Sequence, residues 1–124
     1  MPSFSKSSLE KLATCHEDLQ KLFNEVIKDV DCVIVCGFRN QEDQDKAFAD
    51  GFSKLKWPHG KHNREPSHAV DVCPFPIEWD NVQRFEAFAE VVKCKAEELK
   101  INVTWGGSWK DFPDRPHWEL KGVA

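Results

Sequence analysis

Apolar side chains recur every three or four positions across residues 8–30, at Leu9, Leu12, Ala13, Leu19, Leu22, Phe23, Val26 and Ile27. That spacing predicts one long amphipathic helix, with Ser7 and Glu10 as a capping box at its start. The pattern then changes period. CVIVCGF (32–38) is a short β-branched run closed by Gly37, which reads as a buried strand. From Arg39 to Asp50 the chain is polar with Ala47 and Phe48 inside, a short helix ended by Gly51. Residues 52–67 mix Gly, Pro, His, Asn and Lys and form a surface loop. Ala69–Cys73 reads as a second strand, stopped by the two prolines of PFP (74–76). A second strong helix is predicted from Asn81 to about Lys100, with Asp80 as N-cap. Its buried stripe is Val82, Phe85, Phe88, Ala89, Val92, Ala96 and Leu99. In the tail, Val103–Trp105 and His117–Leu120 are strand-like pieces separated by Gly-Gly and prolines. Two long helices against a small, mainly antiparallel sheet make an α+β layer arrangement.

Composition narrows the partners. At 124 residues with no repeat, linker or low-complexity tract, one domain over 1–124 is expected. The chain holds 17 basic and 21 acidic side chains, a formal charge of −4, and so argues against a general nucleic-acid binder. It has no apolar run of about 20 residues to span a membrane. Its start, MPSFSKSSLEKL, has no basic-then-apolar leader, so synthesis in the cytoplasm is expected. The five cysteines (Cys15, Cys32, Cys36, Cys73, Cys94) are odd in number and contain no CxxC pair. Free thiols used for packing are expected, with Cys32 and Cys36 on one face of their strand.

The histidines gather where chemistry could be. His16 falls within the first helical pattern and is read as packing or surface. His59, His62 and His68 crowd the loop PHGKHNREPSHAVD, which closes on Asp71 at a strand start. His117 also begins a strand, in DRPHWEL. A loop histidine, Asp71 and His117 would give the two imidazoles and one carboxylate that leave a zinc ion an open position. Taken singly, each has a bland reading as a solvated or turn residue. Nothing matches HExxH or a zinc-finger spacing.

Read in order, however, the segments resemble the phage endolysin zinc peptidases that cut L-alanyl-D-glutamate bonds. The relatives of that family include D-alanyl-D-alanine dipeptidases and carboxypeptidases. GFRNQEDQ (37–44) is similar to the family's G-[YF]-R followed by glutamine. KHNREPSHAVDV (61–72) and PFPIEW (74–79) resemble its S-K-H-N-x-x-P-S-x-A-V-D and P-Y-P-I-D-W, with Gly60 where a serine commonly stands. WGGSWKDFPDRPHWEL (105–120) matches W-G-G-x-W-x-x-F-x-D-x-P-H-[FW]-E. The resemblance implies a Hedgehog/DD-peptidase-like fold, with His62, Asp71 and His117 as zinc ligands. It also implies Asp114 as the catalytic acid/base and Arg39 as the group that polarises the carbonyl or steadies its oxyanion. Gln44 and Trp109 become candidate substrate contacts, while His59 and His68 are expected to be bystanders.

The mechanism so implied is coherent: zinc acidifies a water, and Asp114 takes its proton and returns it to the leaving amine. The Asp114 carboxyl would need its pKa raised, with burial beside Trp118 or Trp105 as the expected cause. Trp57, Trp79, Trp105 and Trp118 are expected in the core or the cleft wall. The substrate would be a peptidoglycan stem peptide, met by a monomer after release from the cytoplasm, with no separate wall-binding module. Competing expectations are a D-alanyl-D-alanine carboxypeptidase or dipeptidase, and a non-catalytic zinc-binding module of the same fold.

Overall fold

The computed structural model describes residues 2–110 and 113–122. In chain order the helices are α1 (Lys6–Leu12), α2 (Glu17–Asp29), α3 (Gln41–Ala49) and α4 (Val82–Leu99). The strands are β1 (Cys32–Cys36), β2 (Ala69–Pro74), β3 (Val103–Trp105) and β4 (His117–Leu120). They form one antiparallel sheet in the order β1-β2-β4-β3. The α+β architecture is therefore as the apolar pattern implies. No helix among the described residues is long and apolar enough to cross a membrane.

The first helix departs from its pattern. Two helices, α1 and α2, replace the single one expected over 8–30, and Leu9 is half exposed. The break has a distant cause. Cys15 bridges to Ser67, the His16 amide donates to the Ser67 carbonyl at 2.8 Å, and the Ser67 amide donates to the Thr14 carbonyl at 2.9 Å. Ser5, not Ser7, caps α1, and His16 caps α2 by accepting from the Asp18 amide at 3.0 Å through Nδ1. His16 is thus a capping residue as well as a ring packed edge-on against His68. Asn81 rather than Asp80 caps α4, accepting from the Arg84 amide at 3.1 Å. The far end of α4 closes on Lys100 in a left-handed conformation, φ 59°.

One face of the sheet is the core. Ile34, Val70, Val72, Trp118 and Leu120 pack with Leu19, Leu22, Phe23 and Val26 of α2 and Phe88, Ala89 and Val92 of α4. Cys15, Cys32 and Cys73 are buried free thiols, and burial pushes Cys15 and Cys32 up to about 12. Cys36 does not follow Cys32 into the core. The β1–β2 register slips between Ile34 and Cys36, so Cys36 stands opposite Asp71. An extra residue in one strand re-aims the side chains beyond it, and here it turns Cys36 toward the opposite face.

Candidate metal centre and catalytic cleft

The site follows from strand alternation. Successive side chains point to opposite faces, so Val70 and Val72 enter the core while Asp71 leaves it. On β4, Trp118 and Leu120 point inward and His117 and Glu119 outward. The register sets Asp71 directly opposite His117. Cys36, Asp71 and His117 therefore form one row across three strands.

His62 is brought over this row by a short 3-10 turn, Lys61–Asn63, in the loop before β2. Both neighbours of His62 hold that turn in place. Lys61 Nζ donates to the Leu120 carbonyl at 3.0 Å and lies 3.5 Å from Glu119 Oε2. Asn63 Nδ2 donates to the Arg39 carbonyl at 3.0 Å and to Gln44 Oε1 at 3.1 Å. The His62 carbonyl accepts from the Arg39 amide at 2.8 Å.

Three donor atoms converge. His62 Nε2 lies 3.2 Å from Asp71 Oδ1 and 3.3 Å from His117 Nδ1, and His117 Nδ1 lies 3.3 Å from Asp71 Oδ1. A tetrahedral ion with ligands at about 2.0–2.1 Å has edges of about 3.3 Å, so this triangle fits one. The outer nitrogens are engaged in the sense a metal site needs. His62 Nδ1 donates to the Gly37 carbonyl and His117 Nε2 donates to Glu119 Oε1, both at 2.8 Å. Each imidazole thereby turns its other nitrogen toward the shared centre. These residues could hold a metal ion.

The three groups also shift one another's affinity for protons. Burial lowers the His62 affinity for a proton, but the Asp71 charge outweighs it and holds the imidazole near 10. Burial opposes the Asp71 charge in turn, and His62 and His117 overcome it, keeping the carboxyl well below its usual range. His117 is raised against its burial by Asp71 and Glu119. A cation held there would compete with protons for the same three atoms.

Asp114 reaches the site from the return loop, where its amide donates to the Gly106 carbonyl at 2.9 Å. A Cβ on Gly106 would stand 2.9 Å from His117 Cβ, so the close return requires glycine there. Asp114 Oδ2 lies 3.9 Å from His117 Nδ1, near the centre but outside the triangle. Burial, then the charge of Asp71, raises its pKa. Trp118 is on the core face of the sheet, and Trp105 Nε1 donates to the Arg115 carbonyl at 2.7 Å. The neighbouring charge thus adds a cause that tryptophan burial alone does not supply. Arg39 also reaches the site, with Nη2 3.7 Å from Asp71 Oδ2.

Around these groups lies a cleft of about 1150 Å³, lined in part by Arg39, Asp114, Trp79, Trp109, Phe52 and Leu55. Trp109 packs tilted against His117, ring centroids 5.1 Å apart. Trp79 stacks on Phe85 and remains half exposed on the cleft wall. His59 also lines the cleft, whereas His68 is buried beside His16 with its pKa lowered by burial and the nearby Arg64. Asp111 and Phe112 of the 105–120 motif lie outside the described residues.

Gln44 differs from its expected part as a substrate contact. It is 1% exposed. Its Oε1 accepts from Arg39 Nη1 at 3.0 Å and from Asn63, while Nε2 donates to Ser53 Oγ at 3.0 Å and the Leu55 carbonyl at 2.6 Å. No hydrogen-bonding position is left for a ligand. Conversely, Glu119, Lys61 and Asn63, which the motifs contain without an assigned role, adjoin the site, as does Cys36, expected only in packing. Glu119 was findable, because a residue two beyond His117 on a strand shares its face.

The family model for phage L-alanyl-D-glutamate peptidases matches residues 2–122. The L-alanyl-D-glutamate peptidase of Escherichia phage T5 is 30% identical over 123 residues, 95% of this chain and 88% of that protein. The crystal structure of the Serratia marcescens L-Ala D-Glu endopeptidase ChiX matches with a TM-score of 0.82 at 28% identity. That match covers 96% of this chain and 90% of the other.

Proposed function

The chain belongs to the phage L-alanyl-D-glutamate peptidase family, and from that premise we propose that it is a zinc-dependent L-alanyl-D-glutamate endopeptidase acting as an endolysin. The observation that carries this reading is the triangle of His62 Nε2, Asp71 Oδ1 and His117 Nδ1, with both outer imidazole nitrogens already engaged. Zinc bound there supplies an acidified water and a Lewis acid for the scissile carbonyl.

The remaining steps are the chain's own. Asp114 receives the proton of the attacking water and passes it to the leaving amine. Its position beside, not within, the ligand triangle leaves the carboxylate free for that exchange. Arg39 faces the same space and offsets charge growing on the carbonyl oxygen, a contribution of about 3–4 kcal/mol per donor in comparable sites. Trp109 and the apolar wall of Phe52 and Leu55 seat the peptide. The cleft of about 1150 Å³ has room for a peptide segment beside the metal centre. The enzyme meets that substrate, the peptidoglycan stem peptide, after release from the cytoplasm.

The test is turnover of purified peptidoglycan by wild type and Asp114→Ala, with metal content measured on both and released ends read by mass spectrometry. New amino ends on D-glutamate, lost in the variant while zinc is retained, are expected. Release of D-alanine instead would move the assignment to a carboxypeptidase. No new ends from zinc-loaded, folded wild type would overturn the enzymatic reading.

A further inference from the structure

We infer that Gln44 is a positioning residue for Arg39, holding the guanidinium over the reacting carbonyl and anchoring it to the cleft wall at Ser53–Leu55. The inference rests on the endopeptidase reading given above. Its basis is the use made of each polar atom of a side chain that is 1% exposed. Oε1 faces the site and accepts from Arg39 Nη1 and from Asn63, the residue next to His62. Nε2 faces away and donates to Ser53 Oγ and the Leu55 carbonyl. One rigid amide thus joins the arginine, the turn bearing His62 and the wall that carries exposed Phe52 and Leu55.

Arg39 needs such a holder. Among the described residues, the guanidinium's other polar neighbours are Cys36 Sγ at 3.8 Å from Nη2 and Asp71 Oδ2 at 3.7 Å. Asp71 is the sole carboxylate within ion-pair distance of Arg39 among the described residues, and it offers its other oxygen to the metal centre. A guanidinium released from Gln44 would be drawn toward that carboxylate. It would then neutralise a ligand and vacate the place where the oxyanion forms. The Gln44 hydrogen bond, at 3.0 Å, opposes this movement. Misplacement of a catalytic group by about 1 Å can lower a rate about 100-fold, so an effect on kcat is expected from a residue that never meets substrate.

The experiment is a double-mutant cycle on peptidoglycan fragments with the zinc-loaded protein, using Gln44→Met, Arg39→Ala and the pair. Gln44→Met is expected to lower kcat about 10- to 100-fold, with KM within about twofold and metal content unchanged. In the Arg39→Ala background the same change should alter kcat by less than about twofold. An equal loss in both backgrounds, or a loss confined to KM, would overturn the inference while leaving the endopeptidase standing. If wild type cuts no bond, the proposed function itself falls. Should Gln44→Met not fold, Gln44→Glu carries the test, since it keeps an acceptor for Arg39 and loses the donations to Ser53 and Leu55. Because it loses that anchor, its kcat should fall when Arg39 is present and change by less than about twofold in the Arg39→Ala background; an equal change in both backgrounds would sink the idea.

Discussion

The two faces of β2 and β4 are built from alternate residues of the same ten positions, yet they obey different rules. Behind the sheet, Val70, Val72, Trp118 and Leu120 are excluded from water and held by apolar contact. In front, Asp71, His117 and Glu119 are held by directed bonds, each to a particular atom. Burial of apolar area is tolerant of detail and supplies stability. The front face is intolerant of detail, and its three inward lone pairs repel until a proton or cation sits among them. Stability and chemistry are thus separated by one step along the chain.

That separation can be broken by mutation. Asp114→Asn is expected to reduce turnover about 10²- to 10⁴-fold while the denaturation midpoint stays where it was. A shifted midpoint in urea would show that front and back are not independent. Trp118→Ala is the converse, expected to lower unfolding free energy by about 3–5 kcal/mol through the cavity it leaves. Chemical denaturation measures this, and a loss under about 1 kcal/mol would mean the core is closed by other residues. Glu119→Ala should weaken metal affinity about 10- to 100-fold, because His117 would lose the acceptor that sets its tautomer. Competition with a chromophoric chelator gives the value, and wild-type affinity would remove Glu119 from the site.

A pH experiment sharpens the same contrast. In stripped protein, His62 is raised from 6.5 to about 10, so its pairing stabilises fully below about 6.5 and is lost as pH climbs through 10. Asp71 is held below 3.8, so its contribution is present above that value and disappears only in stronger acid. Metal binding needs unprotonated imidazoles and strengthens as pH rises. The gap in melting temperature between loaded and stripped protein should therefore widen from about pH 6 to about pH 8. A narrowing gap would contradict competition between protons and metal. The smallest effect lies far from the site: Lys100→Gly, relieving a left-handed non-glycine residue, should stabilise by about 1 kcal/mol in a thermal melt.

Much of this was legible along the chain. Periodicity located α4 and all four strands because local spacing decides those elements, and the motif residues His62, Asp71 and His117 proved to converge. Other features depend on partners distant in sequence. The break between α1 and α2 comes from Ser67, more than fifty positions beyond Cys15, and no apolar stripe records it. The slip that turns Cys36 outward is a property of pairing with β2 rather than of CVIVC itself. Gln44 has the composition of a surface helix residue, and only the return of residues 53–63 over it makes it buried.

Trp109 lies against the imidazole of His117, ring centroids 5.1 Å apart. Trp105 and Trp118 stack on each other, and Trp79 on Phe85, so this indole differs from them in its neighbour. Were the proposed ion to replace a proton on that imidazole, the Trp109 emission is expected to change. The indole would then be an internal optical gauge of occupancy, readable without label or substrate, and Trp109→Phe is the control that silences it.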